Sequence, residues 1–210
     1  MGGGTRRRLP RSGLERRHLV TPSPPALVLF DLDGTLLDSD EALATAFVEL
    51  GVPRESVTFG HVVADECRRL GIALDAYLDA YDAEAAAPFP GVEELLERLD
   101  RWAVCSNKHP RSGRAELARL GWQPEGAWFA DAFDGPKRLD VVLRELDLAA
   151  AEVLYVGDTD HDREAAHAVG CRFVLAGWNP RTRRRERDEV ATSPLEVLDA
   201  VAGQDLSEPS

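Results

Sequence analysis

The chain has 210 residues, 44% of them hydrophobic and 30% charged, which suits one ordinary domain plus an insertion and excludes a disordered chain. Its 25 basic and 37 acidic side chains leave a formal charge of −12, which argues against a general nucleic-acid binder because that role needs a basic face. No apolar run approaches the roughly eighteen residues of a membrane span.

Residues 1–25 carry six arginines against Glu15, with three consecutive glycines and a proline-rich end, so they hold +5 and the remainder −17. The expectation is a disordered basic leader. Ala26 to Phe30 is short and apolar throughout, as a buried strand should be. Ser39 is a plausible N-cap for a helix whose stripe is Leu43, Ala46, Phe47 and Leu50. Two further stripes follow, on Phe59, Val62, Val63, Cys67 and Leu70, then on Leu74, Tyr77, Leu78 and Tyr81. Pro88-Phe-Pro-Gly91 breaks the chain before a helix on Val92, Leu95, Leu96 and Leu99. Trp102 to Cys105 predicts a strand and is followed by a helix ending near Gly121. A weaker strand is expected at Trp128–Phe133, and another helix on Leu139, Val142, Leu143 and Leu146. Val153–Val156 and Arg172–Leu175 predict strands flanking a helix at Arg163–Val169. Ser193-Pro-Leu-Glu196 has the pattern of a capping box opening a last helix. The arginine-rich run 181–187 is expected as a solvated helix or loop face.

This alternation predicts an α/β fold, an open parallel sheet with helices on both faces. Residues 39–87 interrupt it with helical stripes and no strand. The expected division is therefore a core of 26–38 and 88–202, a small helical cap at 39–87, and a disordered tail at 203–210. Cys67, Cys105 and Cys171 are too widely spaced for a disulfide framework or a zinc site, which suits buried thiols in a reducing, cytoplasmic setting.

Ligands of open α/β sheets bind beyond the carboxyl ends of the strands, and three predicted strands run into polar residues there. They end in Asp31-Leu-Asp33-Gly-Thr35, Ser106-Asn107-Lys108 and Gly157-Asp158-Thr-Asp-His-Asp162. A sheet would crowd Asp31, Asp33, Asp158 and Asp162 into one crevice, tolerable only with a cation or raised pKa values. An all-oxygen donor set suits Mg²⁺. Lys108 and Lys137 are the only lysines among the 25 basic residues, and both fall on loops expected to face an anion.

Phe30-Asp-Leu-Asp-Gly-Thr-Leu-Leu-Asp-Ser39 resembles the first motif of the haloacid dehalogenase-like (HAD) hydrolases. Ser106 resembles the second motif, Lys137 the third, and Val156-Gly-Asp-Thr-Asp-His-Asp162 the fourth, in the family's order across about residues 26–202. The sequence here is Gly135-Pro-Lys137-Arg138 where the family usually has Lys-Pro. The resemblance implies a HAD-like core with a cap, and a phosphatase working through an aspartyl phosphate. Asp31 would be the nucleophile and Asp33 the general acid and base. Mg²⁺ would lie on Asp31, the backbone carbonyl of Asp33, and Asp158. Ser106 and the amide of Asn107 would hold phosphoryl oxygens, and Lys137 would counter charge. Asp162 would either orient Lys137 or a metal-bound water, or simply cap the next helix.

Asp33 disfavours a dehalogenase, which needs no leaving-group proton, and the absence of lysine from 39–87 disfavours Schiff-base chemistry. The first and second motifs are most similar to those of phosphoglycolate phosphatases, although residues 39–87 are acidic, with ten Asp and Glu against Arg54, Arg68 and Arg69. The expected partner is a small-molecule phosphoester, with no nucleic acid and no membrane, and monomer and homodimer stay open. Alternatives are a catalytically weak phosphate- and Mg²⁺-binding module acting through a partner, and a nucleotidase or pyrophosphatase of the same family.

Overall fold

The computed structural model describes residues 24–206. Most of the expected basic leader, and the last residues of the expected tail, lie outside them. In chain order the elements are β1 (Leu27–Phe30), β2 (Leu37–Asp38), α1 (Asp40–Glu49), α2 (Val63–Leu70), α3 (Leu74–Ala80), β3 (Ala87–Pro88), α4 (Val92–Arg98), β4 (Trp102–Cys105), α5 (Pro110–Arg119), β5 (Ala127–Trp128), α6 (Leu139–Leu146), β6 (Val153–Gly157), α7 (Asp160–Val169), β7 (Arg172–Ala176), β8 (Glu189–Ala191) and α8 (Val197–Val201).

Six strands form one parallel sheet in the order β5-β4-β1-β6-β7-β8. β1 is central, and the chain builds outward from it first on one side and then on the other, so the strand order reverses beside it. That reversal opens a crevice at the carboxyl end of β1, where α/β sheets bind ligands. The strands are buried on both faces. Val28, Phe30, Val104, Leu154, Val156 and Val174 point toward α4, α5 and α8, through Val92, Leu95, Leu117 and Val197. Leu29, Ala103, Tyr155, Phe173 and Leu175 point the other way, toward Leu139 and Val142 of α6 and Ala166 of α7. Unbroken apolar runs of four or five residues follow from this two-sided burial.

α1, α2 and α3 share a separate hydrophobic cluster around Phe47, Cys67, Tyr77 and Leu78. The chain leaves and re-enters the sheet region through β2 and β3, which pair antiparallel as Leu37 with Pro88 and Asp38 with Ala87. A two-residue ribbon carries no periodic signal, so the sequence pattern does not reveal it.

Several local expectations are corrected. The expected strand at Trp128–Phe133 is only β5, followed by a 3₁₀ turn at Ala130–Ala132. β8 was not expected at all; three residues at a sheet edge are too few to show a pattern. Ser39 precedes α1 but makes no side-chain cap bond, because its Oγ donates to Asp33 Oδ1 at 2.6 Å. The Ser193 capping box is displaced: Glu196 reaches back to the backbone N–H of Thr192 at 2.7 Å and its hydroxyl at 2.6 Å. Among the described residues no helix is long and apolar enough to cross a membrane.

Candidate active site

Asp31 leaves the end of β1 fully inside the crevice, its backbone N–H donating to Val156 O of β6 at 2.9 Å. Asp158 follows β6 directly and Ser106 follows β4, so three adjacent strands deliver three side chains to one place. The Asp31, Asp158 and Asp162 carboxylates offer oxygens within 4.8 Å of one another, all buried. Lys137, from the loop before α6, projects into the cluster. Its Nζ lies 2.8 Å from Asp31 Oδ1 and 2.5 Å from Asp162 Oδ1.

Asp162 both caps α7 and contacts Lys137. Oδ2 accepts from the Thr159 N–H and hydroxyl at 2.9 and 2.6 Å, closing a capping box at the start of α7. Oδ1 accepts the Tyr155 hydroxyl at 2.8 Å and pairs with Lys137. Gly157 makes room for this, since a Cβ there would come within 2.3 Å of Asp162 Cγ. Both Asp162 oxygens are thus held by partners within the protein. Asp33 contributes no carboxylate oxygen to the cluster; only its backbone carbonyl remains for the part the resemblance assigns it.

The electrostatics follow from burial. Desolvation raises Asp31 to about 6, with Asp162 and Asp33 adding and Lys137 opposing. Burial, then Asp162 and Asp31, hold Asp158 well above the usual carboxylate range against the opposing Arg181 and Lys137. Burial also works against ionised Asp162, but Lys137, Thr159 and Tyr155 outweigh it and hold that group low. Burial disfavours charged Lys137, yet Asp162 and Asp31 keep it charged, above the ordinary lysine range. One lysine thus faces three buried acids. Asp31 Oδ1 is buried without a directed hydrogen bond, Lys137 being near but off axis. Two strained carboxylates, an orphaned oxygen and an all-oxygen set fit a small hard divalent cation.

Asn107 acts as a brace. Its Oδ1 accepts the backbone N–H of Lys137 at 2.7 Å, and its Nδ2 donates to Gly60 O, in the loop before α2, at 2.9 Å. Ser106 is buried and lines the cleft. Leu43, Phe47, Phe59, Tyr77 and Tyr81 from the α1–α3 region form the facing wall, and the cavity enclosed is about 50 Å³.

Four contributors escape the sequence pattern. Arg181 turns inward from the run expected to be solvated, its Nη2 2.9 Å from Asp158 Oδ2 and its Nε 2.6 Å from Asp40 Oδ2. Asn179 Nδ2 donates to Asp158 Oδ2 at 3.1 Å and to Gly34 O at 2.9 Å. Gly34, at φ +78, leaves space for this, because a Cβ would sit 2.5 Å from Asp158 Oδ2. Glu116 and Tyr81 are the other two. They hold Lys108, which lines the cleft as expected but has its ammonium engaged by protein partners. Its Nζ donates to Asp33 Oδ1 at 2.6 Å and to the Tyr81 hydroxyl oxygen at 2.9 Å, and pairs with Glu116 Oε1 at 3.0 Å.

The parallel sheet brings Asp31 and Asp33 to the carboxyl end of its central strand, facing a helical wall. The sequence pattern of the haloacid dehalogenase-like hydrolases matches residues 28–176, and the chain belongs to that family. It is a phosphatase-type hydrolase, similar to the phosphoglycolate phosphatases of Xanthomonas campestris and Xylella fastidiosa. The first is 34% identical over 188 residues, covering 75% of this chain and 85% of that one. The second is 32% identical over 189 residues, covering 75% and 82%. The fold matches a haloacid dehalogenase-like hydrolase from Streptococcus pneumoniae with a TM-score of 0.67 at 24% identity, over 84% of this chain and 98% of that one.

Proposed function

We propose that the protein is a Mg²⁺-dependent phosphatase that hydrolyses small-molecule phosphomonoesters through an aspartyl phosphate, in the manner of a phosphoglycolate phosphatase. The observation that carries this reading is the setting of Asp31: a buried carboxylate with an orphaned oxygen, beside a lysine and two further acids. Asp31, Asp158 and the Asp33 carbonyl would hold the ion, which when bound supplies charge neutralisation between nucleophile and phosphate.

The chain's own groups account for the rest. Asp31 attacks phosphorus as the ester P–O bond breaks and its electron pair leaves with the alcohol oxygen. Asp33, on the cleft wall, gives that oxygen a proton and later takes one from the water that hydrolyses the acyl phosphate. Ser106 and the backbone amide of Asn107 hold phosphoryl oxygens. Lys137 keeps a donor for a phosphoryl oxygen beyond its two carboxylates, and Asp162 fixes its direction. Three buried free thiols support a cytoplasmic, reducing setting.

The test is hydrolysis of a panel of sugar phosphates, phosphoglycolate, nucleotides and pyrophosphate, with Mg²⁺ and with chelator. Turnover of small phosphomonoesters that needs Mg²⁺ and disappears in Asp31→Asn is expected. No turnover on any of them, or an Asp31→Asn variant as active as the parent, would overturn the reading.

A further inference from the structure

Lys108 is almost entirely buried, and a lysine in that position needs a reason. Its ammonium donates to Asp33 and Tyr81 and is paired with Glu116, so its charge is engaged within the protein. Glu116 lies on the inner face of α5 and is fully buried. Its Oε1 takes both Lys108 and the Tyr81 hydroxyl, the latter at 2.5 Å, while Oε2 has no partner. Tyr81 is the residue that ends α3. Three elements, β4 through its following loop, α5 and the end of α3, therefore converge on one lysine, and Asp33, Tyr81 and Lys108 of this set line the cleft, Lys108 almost fully buried and Asp33 partly exposed.

We propose that Lys108, held by Glu116 and Tyr81, is a positioning residue that fixes which oxygen of Asp33 moves the proton. This rests on the phosphatase reading above. Lys108 at 2.6 Å and the Ser39 hydroxyl at 2.6 Å both donate to Asp33 Oδ1. Oδ2 accepts no hydrogen bond from the described residues and is not sealed from solvent. A carboxylate satisfies both donors through Oδ1, and so does the neutral acid, whose Oδ1 is then the carbonyl oxygen and whose proton sits on Oδ2. Asp33 can thus change protonation state without breaking either bond. In the first half-reaction the Oδ2 proton passes to the alcohol oxygen as its bond to phosphorus breaks and the bond from Asp31 forms. In the second, a water proton returns to Oδ2 as the water oxygen bonds to phosphorus and Asp31 departs. Removing Lys108 frees the carboxyl to rotate, which weakens proton delivery where the leaving group needs it.

Leaving-group dependence reads this directly, because kcat/KM contains the departure of the alcohol. An alkyl phosphate leaves as a strongly basic alkoxide and needs the proton; 4-nitrophenyl phosphate leaves without one. For Lys108→Met, measured with Mg²⁺, kcat/KM on an alkyl phosphate is expected to fall about 100-fold, and on 4-nitrophenyl phosphate no more than about threefold. Because Lys108→Met removes the cation beside buried Glu116, whose carboxyl is already pushed up to about 7 by burial, the double variant Lys108→Met/Glu116→Gln fixes that group as neutral and is measured alongside, with the same selective loss expected. Asp33→Asn should show the same pattern in stronger form. Equal losses on the two substrates, which a merely structural role would give, or no loss on either, would overturn the proposal while leaving the phosphatase reading intact. A parent protein inactive on both substrates would overturn both.

Discussion

Replacing Asp31 with asparagine should stabilise the metal-free protein while abolishing its chemistry. The Asp31 carboxyl is raised from 3.8 to about 6, chiefly by burial, and this is net of the favourable Lys137. A carboxyl whose folded pKa is raised binds its proton more tightly folded than unfolded. Its contribution to stability is therefore lost as pH rises from about 4 through about 6, and stays lost above that. The difference corresponds to about 3 kcal/mol at pH 8, as an order of magnitude. Asparagine keeps the shape and carries no charge, and Lys137 retains Asp162 as its partner. Thermal unfolding in chelator at pH 8 should show Asp31→Asn melting roughly 5–10 °C above the parent. At pH 4 most of the gain should be gone, since folded Asp31 is then protonated and the unfolded carboxyl is close to its own midpoint. Mg²⁺ at pH 8 should raise the parent's Tm more than the variant's. A variant less stable than the parent at pH 8, or a gain equal at both pH values, would refute the claim that Asp31 is held in an electrostatically costly site.

Lys137→Met removes the one cation shared by Asp31 and Asp162, and should cost about 3–5 kcal/mol in denaturant unfolding together with most of kcat. Gly34→Ala forces a methyl toward Asp158 and Asn179 at a positive φ. It should destabilise by about 1–3 kcal/mol and weaken Mg²⁺ binding by calorimetry. Tyr155→Phe deletes the donor to Asp162 Oδ1 and should cost about 1–3 kcal/mol in thermal unfolding, with a smaller loss of kcat than Lys137→Met.

Residues adjacent to strand ends were legible in the sequence. Asp31, Ser106 and Asp158 each follow a short apolar run, so the sheet that the runs imply also brings the three together. Lys137 was placed by motif order, and it does reach Asp31 and Asp162 although its loop is short. Lys108 stands out in the sequence by its rarity and does line the cleft, but its partners Asp33, Tyr81 and Glu116 lie far apart in sequence and leave no local sign of the pairing. Glu116 shares the inner face of α5 with Ser112, Gly113 and Leu117, and a lone acid on such a face is the one signal that could have exposed it. Arg181 was hidden in a run of like residues. Its contacts with Asp40 and Asp158 depend on how the loop after β7 folds back, 141 and 23 residues away in sequence. Pairings at that separation leave no local period to detect.

The central claim is that Asp31 carries the phosphoryl group. The direct measurement mixes enzyme, Mg²⁺ and a phosphomonoester that it turns over, quenches in acid during the steady state, and maps the peptides by mass spectrometry. One phosphoryl group on the peptide containing Asp31, absent from Asp31→Asn treated identically, is the predicted result. A phosphoryl group on another residue, or none during demonstrated turnover under conditions that preserve acyl phosphates, would contradict it.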